Sequence, residues 1–501
     1  MAMSSLLARW LARVDDARCA VAAPEGPVPW IEIVERADCV ASALLAGRGS
    51  LEGERVALLL APGAAIVASL FGVLRAGGAV VMLSPGHPAR ETSYYCEDAE
   101  VSTVITSRSL AHLAGDLRRR VAIAEDLFAG RAASIAAVPG EGVDALQIYT
   151  SGTTSRPKGA VLTHANLGIQ QALLSQAWGL RQDDVLLHVL PLHHIHGLGI
   201  ALLSALGCAA SVRFLDFAGR GFDARATWDA MEGASVFMAV PSIHARLMAA
   251  FDAADATTQA RWTRFARALR LVTSGSAPLP VSLGARWEAL TGAYPLERFG
   301  MTELGVAASN PLASERRRPG TVGLPLPTVQ TRIVDDDGRP ADTGHLWIAG
   351  PSVFSRYHGR PESNEDAFAL DTTARWFKTG DTVLREHDGY LRVLGRTSVD
   401  ILKSGGYKLS ALEIEEAIRE HPSVAEVAVV GIPDPHWGDR VVACVVAREG
   451  CESDLRPDWL RGFLKERIAA YKVPKQVVVL HELPKNALGK VIKPDLVKKL
   501  T

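Results

Sequence analysis

Short apolar runs alternate with longer alanine-rich segments over the first hundred residues. The runs at 55–60, 79–83 and 101–106 are rich in β-branched or other apolar residues and predict buried strands. The segment 64–74 has the length and the small apolar residues of a helix. Because strands and helices alternate, the pattern predicts a mostly parallel sheet with helical crossovers.

The periodicity differs in the second half of the chain. An apolar run at 198–212 is helical in character, whereas 328–394 consists of short alternating segments separated by Asp-Gly turns such as Asp337-Gly338 and Asp388-Gly389. This second pattern predicts a small β-rich subdomain. A chain of 501 residues is also too long for one ordinary core, so we expect two or more domains.

The composition restricts the possible partners and environment. Hydrophobic residues make up 48% of the chain and charged residues 22%, and the net charge of −1 gives no general electrostatic case for nucleic acid. The uncharged run 56–74 is divided by Pro62-Gly63, so we expect no membrane insertion. Six scattered cysteines without a Cys-x-x-Cys pair suggest neither a zinc site nor a disulfide framework and fit a reducing cytoplasm.

The stretch 150–159 concentrates five hydroxyls, two glycines and two cations between two apolar segments. Glycines let the backbone approach an oxyanion closely, and hydroxyls, amide N–H groups and a lysine can donate to it. A solvated Ser/Thr/Gly turn is the alternative interpretation of such a composition. The P-loop motif does not fit, because Pro157 precedes Lys158 and Gly159 follows it. The candidate phosphate-binding residues are Thr150, Ser151, Gly152, Thr153, Thr154 and Lys158.

The order of residues in this loop resembles the ATP phosphate loop of the adenylate-forming superfamily, which includes acyl-CoA synthetases, luciferases and peptide-synthetase adenylation domains. Further motifs follow in the family order from about Trp30 to Lys493. The resemblance implies an α/β fold, with a large N-terminal domain of mostly parallel sheets over 1–395 and a β-rich subdomain at about 328–395. It also implies a hinge at 396–400 and a smaller mobile α+β domain over 401–501.

The resemblance also implies roles in ATP binding. Phe299 would stack on adenine, Thr302 would hydrogen-bond the α-phosphate, Glu303 would hold Mg²⁺ and act in catalysis, and Asp381 would bind the ribose hydroxyls. Lys490 matches the family lysine that bridges the carboxylate and the α-phosphate during adenylation. The other residues implied at this site are Ser274, Gly275, Ser276, Ala277, Glu297, Arg298, Gly300, Met301 and Arg396.

Three histidines fall within four residues, at His193, His194 and His196. A metal site is disfavoured, because no carboxylate or cysteine lies nearby in sequence to complete it. Adjacent His193 and His194 would also point apart on a strand. The His-x-His-Gly-Leu order is similar to malonyl-CoA synthetases, in which this segment lines the acyl site. By that resemblance His194 acts in catalysis and in accommodating a second carboxylate, and the acid-binding residues are His194, Ile195, His196, Val306, and Arg317 or Arg318.

The segment 235–242 contains no aspartate, whereas amino-acid-activating relatives typically place one there for the substrate ammonium. A substrate without an α-amino group is therefore favoured, because a buried ammonium without a partner would be costly. The glycine pair after the hinge resembles the loop that forms the pantetheine tunnel. It implies a CoA site at Lys403, Ser404, Gly405, Gly406 and Tyr407.

The resemblance implies an AMP-forming acyl-CoA synthetase that uses ATP, Mg²⁺ and CoA to activate a small carboxylic acid, with malonate or methylmalonate expected. A synthetase for short-chain or aryl monocarboxylates is the main alternative. An adenylating enzyme that loads a carrier protein and a nucleotide-binding protein without ligase activity also remain open. We expect a cytoplasmic protein, either monomeric or homodimeric.

Overall fold

We analysed a computed structural model of the chain. It describes residues 5–133, 135, 139–150, 157–215, 221–451, 455, 457–485 and 491–501.

The described strands occur throughout the chain. In chain order they are β1 (Cys19–Ala23), β2 (Gly26–Pro29), β3 (Arg55–Leu59), β4 (Ala79–Met82), β5 (Thr103–Thr106), β6 (Arg120–Ile123), β7 (Asp144–Thr150), β8 (Lys158–Thr163), β9 (Val185–His188), β10 (Ser211–Phe214), β11 (Val236–Ala239), β12 (Leu271–Ser274), β13 (Leu296–Met301), β14 (Gly305–Ser309), β15 (Leu324–Pro325), β16 (Gln330–Val334), β17 (Thr343–Ala349), β18 (Arg356–Tyr357), β19 (Phe368–Leu370), β20 (Arg375–Arg385), β21 (Leu391–Arg396), β22 (Ile401–Ser404), β23 (Tyr407–Ser410), β24 (Val424–Asp434), β25 (Gly438–Ala447) and β26 (Gln476–Leu480).

Helices connect most of these strands. In chain order they are α1 (Ser5–Leu11), α2 (Trp30–Leu45), α3 (Ala64–Arg75), α4 (Ala89–Asp98), α5 (Ala124–Phe128), α6 (His164–Trp178), α7 (Leu203–Gly207), α8 (Ala224–Ala230), α9 (Pro241–Asp252), α10 (Ala256–Arg267), α11 (Val281–Thr291), α12 (Pro361–Ala367), α13 (Ala411–Arg419), α14 (Pro457–Lys465) and α15 (Lys493–Leu500). A π-helix over His196–Leu202 precedes α7, and short 3₁₀ turns lie at Arg108–Leu113, Gly115–Leu117, Ser314–Arg316 and Ala470–Lys472.

A seven-stranded sheet has the order β18-β8-β7-β4-β3-β5-β6. Its strands from β7 to β6 pair in parallel, as the alternation of strands and helices predicted, because each crossover returns the chain to the same edge of the sheet. β7 and β8 instead form an antiparallel hairpin in which Thr150 lies opposite Lys158. The two ends of the predicted phosphate loop are therefore held side by side.

A nine-stranded sheet has the order β15-β14-β13-β12-β11-β9-β10-β1-β2 and provides the other half of the site. The central strands β13, β12, β11, β9 and β10 are parallel, so their carboxyl ends, including Ser274 and Met301, lie along one edge. Ligands of open parallel sheets bind at this edge. A hydrophobic core containing the fully buried Trp228, Trp262 and Trp287 packs against the sheet and fixes its position.

The β-rich subdomain is an antiparallel sheet of β16, β17, β20, β19 and β21. A last sheet contains β23, β22, β25, β24 and β26. Its buried residues from Leu402 onward form their own clusters, separate from the core that ends at Leu391. The α/β fold class, with a large N-terminal part and a smaller C-terminal part, is confirmed; the predicted limits at 395 and 401 stay a prediction.

One predicted element is wrong in part. The run 198–212 is only partly helical, because the helix ends at Gly207 and β10 begins at Ser211. Ala209 adopts a left-handed φ of +60° in the intervening turn. Apolar runs of this kind suit a buried parallel strand as well as a buried helix, and periodicity alone does not separate them. In the described part of the chain no helix is both long and apolar enough to cross a membrane.

Candidate active site

The phosphate loop is described at its two ends. The Thr150 hydroxyl donates to the Lys158 carbonyl at 3.4 Å across the β7–β8 hairpin. The Lys158 ammonium lies 5.5 Å from the centre of the Tyr357 ring. The predicted residues Ser151, Gly152, Thr153 and Thr154 lie outside the described residues.

Glu303 lies in the turn between β13 and β14 and is 5% exposed. The Tyr357 hydroxyl donates to its Oε1 at 2.7 Å. Burial raises the pKa of Glu303, and the positive charges of Arg396 and Lys158 act in the opposite direction. Predicted residues from two other motifs, Lys158 and Arg396, thus lie near this carboxylate. Tyr357, 54 positions away, was not predicted, because only the pairing of β18 with β8 brings it there.

This corner fits a magnesium ion better than a metal held entirely by protein. No group of three or more histidine, cysteine or carboxylate side chains that could hold a metal occurs among the described residues. Mg²⁺ needs only one or two carboxylates when phosphate oxygens and water supply its other ligands. Glu303 is such a carboxylate, with a lysine and an arginine nearby that suit phosphate.

Asp381 and Arg396, both predicted at the ATP site, lie opposite each other on β20 and β21. Arg396 Nε is 3.2 Å from Asp381 Oδ1, and Arg396 Nη1 donates to the Thr379 carbonyl at 2.6 Å. Asp381 is 6% exposed. The register of one hairpin therefore fixes both groups.

The edge formed by β12 and β13 combines buried and accessible residues. Ser274 and Gly275 are buried, whereas Ser276 and Ala277 are exposed. Phe299, Gly300, Met301 and Thr302 are half-buried at the end of β13 and in the turn after it. Val306 is fully buried in β14, where its N–H donates to Gln170 at 3.0 Å. The structure thus gathers the predicted adenine and acyl residues at neighbouring strand ends.

His196 begins the π-helix and is 5% exposed. Its Nδ1 lies 3.1 Å from the hydroxyl of Ser276, a residue with a left-handed φ of +69°. Its Nε2 is buried without a hydrogen-bond partner among the described residues. Burial, followed by the charge of Arg298, holds the pKa of His196 well below its ordinary value, so the imidazole is neutral at physiological pH.

His194 lies in a second, half-buried group of imidazoles. Its ring centre is 4.2 Å from that of His193, which in turn is 4.7 Å from His87. Burial lowers the pKa of His194 to about 4 and that of His193 to about 3. His194 is therefore neutral and can serve as a hydrogen-bonding group. The buried Ile195 separates it in sequence from His196.

Arg298 is the most unusual charged residue of the site. It is 3% exposed, and its Nε and Nη2 have no hydrogen-bond partner among the described residues. Burial lowers its pKa to about 9. A Cβ placed on Gly275 would be 2.5 Å from Arg298 Nε, so only glycine permits the guanidinium to lie here. The predicted role of Arg298 in ATP binding stays a prediction; in the structure its guanidinium lies against Gly275, next to Ser276, and its charge acts on His196.

Arg317 and Arg318 have other partners. The guanidinium of Arg317 donates to the carbonyls of Pro311 at 3.3 Å and Leu312 at 2.6 Å, and also to that of Tyr294. Arg318 is exposed, pairs with Asp388 and Glu386, and lies over the Tyr390 ring. The predicted role of Arg317 or Arg318 in binding the distal carboxylate stays a prediction.

Glu297 precedes Arg298 on β13 and its carboxylate contacts a different part of the molecule. Its Oε1 accepts from the Gly320 N–H at 2.9 Å. Burial raises the pKa of Glu297 to about 8, the N–H groups of Gly320 and Leu279 lower it, and Glu416 of α13 adds to the rise. Glu416 itself accepts from the Val281 N–H at 2.8 Å.

Comparison with known proteins resolves the family. The model of the AMP-binding enzymes matches residues 7–358, and that of the AMP-binding enzyme C-terminal domain matches 413–490. The chain belongs to the AMP-binding enzyme family. The predicted relationship is confirmed.

Several members of the AMP-binding enzyme family are similar over nearly the whole chain. A mitochondrial malonate–CoA ligase from Homo sapiens is 39% identical over 495 residues, covering 90% of this chain and 84% of that protein. A malonate–CoA ligase from Arabidopsis thaliana is 37% identical over 489 residues, covering 91% and 79%. The ATP-bound crystal structure of MatB from Rhodopseudomonas palustris superposes with a TM-score of 0.88 at 32% identity and covers 99% of both chains.

The C-terminal part of this AMP-binding enzyme carries the predicted CoA residues on the β22–β23 hairpin. Gly405 and Gly406 form its two-residue turn with φ of +59° and +83°, which favours glycine at both positions. Ser404 is buried, whereas Lys403 and Tyr407 are exposed, and the Tyr407 ring stacks on Tyr471 with centres 4.4 Å apart. The predicted Lys490 lies outside the described residues.

Proposed function

We propose that this protein is an ATP-dependent, AMP-forming acid–CoA ligase whose acid is malonate or a malonate with a small substituent. Membership of the AMP-binding enzymes and the malonate–CoA ligases among its relatives support the reaction and the substrate class. The observation that carries the choice of acid is the buried guanidinium of Arg298 beside His196.

A dicarboxylate satisfies this pocket better than a monocarboxylate. A guanidinium has a planar set of donors that matches a carboxylate, and Nε and Nη2 of Arg298 are both available. If Nδ1 of His196 accepts from the Ser276 hydroxyl, its Nε2 carries the proton and can donate as well. With a monoacid, the charge of Arg298 would stay buried and unpaired, which costs about 3–5 kcal/mol relative to a paired state.

In the first half-reaction, an oxygen of the other carboxylate bonds to the α-phosphorus of ATP, and the bond to pyrophosphate breaks. Lys158, Thr302 and Lys490 stabilise the negative charge on the phosphates, and Asp381 holds the ribose. Glu303 would hold a magnesium ion, which supplies charge neutralisation at the phosphates.

In the second half-reaction, the CoA thiolate bonds to the acyl carbon and AMP leaves with the electron pair. We assign the CoA site to the hairpin of Lys403, Ser404, Gly405, Gly406 and Tyr407, brought to the acyl adenylate by rotation about residues 396–400. The expected location in the cytoplasm stays a prediction, since the human relative is a mitochondrial enzyme by name.

The test is a comparison of acids. AMP release with ATP, Mg²⁺ and CoA present should be faster with malonate or methylmalonate than with acetate, propionate or benzoate. The thioester should be identified by mass spectrometry. A preference for any monoacid would overturn the dicarboxylate assignment, and absence of pyrophosphate release with every acid would overturn the ligase assignment.

A further inference from the structure

Side chains of helix α4 take part in a polar network beside the two described ends of the phosphate loop. The Tyr94 hydroxyl donates to the Pro157 carbonyl at 2.7 Å, and the Tyr149 hydroxyl donates to Asp98 Oδ2 at 2.9 Å. The Arg360 guanidinium pairs with the other oxygen of Asp98 and lies 3.4 Å from the Tyr94 hydroxyl. The Asp98 carboxylate thus links the two tyrosines, to Tyr149 directly and to Tyr94 through Arg360. The Asp98 side chain is 10% exposed.

These contacts reach the residues next to the two ends of the loop. Tyr149 immediately precedes Thr150, and Pro157 immediately precedes Lys158. The ring of Tyr149 also stacks on Tyr95, with centres 4.3 Å apart. These hydrogen bonds and the ring contact therefore connect α4 to the residues at the two ends of the loop.

The contact to Pro157 bears directly on the lysine. The Pro157 carbonyl belongs to the same planar peptide unit as the N–H and Cα of Lys158. A hydrogen bond that fixes the direction of this carbonyl therefore fixes the plane from which the Lys158 side chain begins. Proline has no N–H of its own, so the peptide group before it cannot donate a hydrogen bond.

We propose that Tyr94, held by Asp98 and Arg360, is a positioning residue for ATP: it orients the Pro157–Lys158 peptide and so places the Lys158 ammonium for the phosphates. This inference rests on the proposed use of ATP at the loop. Tyr94 touches no substrate in this scheme, and its effect passes entirely through Lys158.

The test compares Tyr94→Phe with the matched control Tyr95→Phe. Both changes delete one hydroxyl from the same helix, but the Tyr95 hydroxyl donates to Glu91 and not to the loop. Binding of a non-hydrolysable ATP analogue with Mg²⁺, measured by calorimetry on the full-length protein, should weaken about 3- to 10-fold in Tyr94→Phe, the size of one hydrogen bond, and stay unchanged in Tyr95→Phe. The KM for the acid and for CoA should stay within about twofold of the wild type, because neither of them meets Lys158.

A double-mutant cycle gives a second readout. On a Lys158→Met background, Tyr94→Phe should have no further effect on analogue binding, since the group through which it acts is gone. Three results would overturn the proposal. One is that Tyr94→Phe weakens analogue binding as much on the Lys158→Met background as in the wild type. The others are an equal loss of affinity in both tyrosine variants and binding of the analogue by Tyr94→Phe with wild-type affinity. Because the assay needs no acid, a wild type that binds the analogue but forms no thioester would contradict the proposed function without affecting this result.

Discussion

The nucleotide side of the proposed site (Glu303, Asp381 and Arg396) and its acyl side (His196 and Arg298) differ in whether their charged groups have partners within the protein. On the nucleotide side, Arg396 is paired with Asp381, and Glu303 accepts from the Tyr357 hydroxyl. On the acyl side, Arg298 is buried and has no described partner for Nε and Nη2, whereas the Arg396 side chain is partly exposed. A buried cation without a partner is costly, and such a group is expected where a ligand supplies the missing charge.

The difference suggests how each side recognises its ligand. Paired groups are held in place before the ligand arrives and exchange one polar partner for another. Ligand binding therefore gains little electrostatic free energy from them. In the proposed function, the carboxylate that binds Arg298 would instead complete an ion pair in a site already removed from water, where electrostatic attraction is strong. Selectivity for a dicarboxylate should therefore come from the acyl side.

The largest effect should follow from Arg298→Met, which removes the unpaired charge and keeps an unbranched side chain. We expect kcat/KM for malonate to fall roughly 150- to 5,000-fold, the equivalent of about 3–5 kcal/mol for a broken buried ion pair. Propionate, which has no second carboxylate, should lose far less. The measurement is AMP release with each acid over a range of concentrations.

Arg317→Met is the matched control for this charge deletion. It removes a guanidinium that is bound to main-chain carbonyls, so it should lower the thermal midpoint and leave the ratio of malonate to propionate turnover unchanged. If Arg298→Met lowered kcat/KM equally for malonate and propionate, the acyl side would not be the source of selectivity. The contrast between the two sides of the site would then fail.

A smaller effect is expected at Glu297, a buried carboxyl group that, unlike the Arg298 guanidinium, has a hydrogen-bond partner. Its pKa is raised from 4.5 to about 8, chiefly by burial, so the folded chain binds this proton more tightly than the unfolded chain does. Stability due to this group is therefore present below about pH 4.5 and is lost as the pH rises towards 8. Glu297→Gln keeps an acceptor for the Gly320 N–H and cannot ionise.

We expect the wild type to lose on the order of 2 kcal/mol relative to Glu297→Gln between about pH 6 and pH 8, since one group contributes at most about 1.4 kcal/mol per pH unit. Thermal midpoints of both proteins at several pH values measure this difference. Glu288→Gln, a change of an exposed carboxylate on α11, should follow the wild type. Parallel curves for the wild type and Glu297→Gln would show that the carboxyl group is not held protonated.

The sequence predicts the fold, and it indicates nucleotide chemistry more directly than acyl chemistry, for a physical reason. Lys158, Glu303 and Asp381 lie in local motifs at a strand start, in a turn and within a strand, respectively, and in each motif the type and order of residues already indicate phosphate, metal and ribose chemistry. The role of Arg298 depends instead on burial, on a glycine that leaves space for it and on the contact of Ser276 with His196, 80 positions earlier. Such contacts exist only after the sheet has formed.

The arginine run shows the same limit and gives the smallest expected effect. Three consecutive arginines precede Pro319-Gly320, and the sequence alone does not indicate which guanidinium finds carbonyls, carboxylates or solvent. Arg318 is exposed and paired with Asp388 and Glu386, and exposed ion pairs contribute little. Arg318→Ala should therefore change kcat/KM for malonate by less than about twofold, as measured by AMP release. A large loss specific to malonate would return the distal carboxylate to Arg318, and Arg298 would then need another anionic partner, such as a phosphate of the nucleotide.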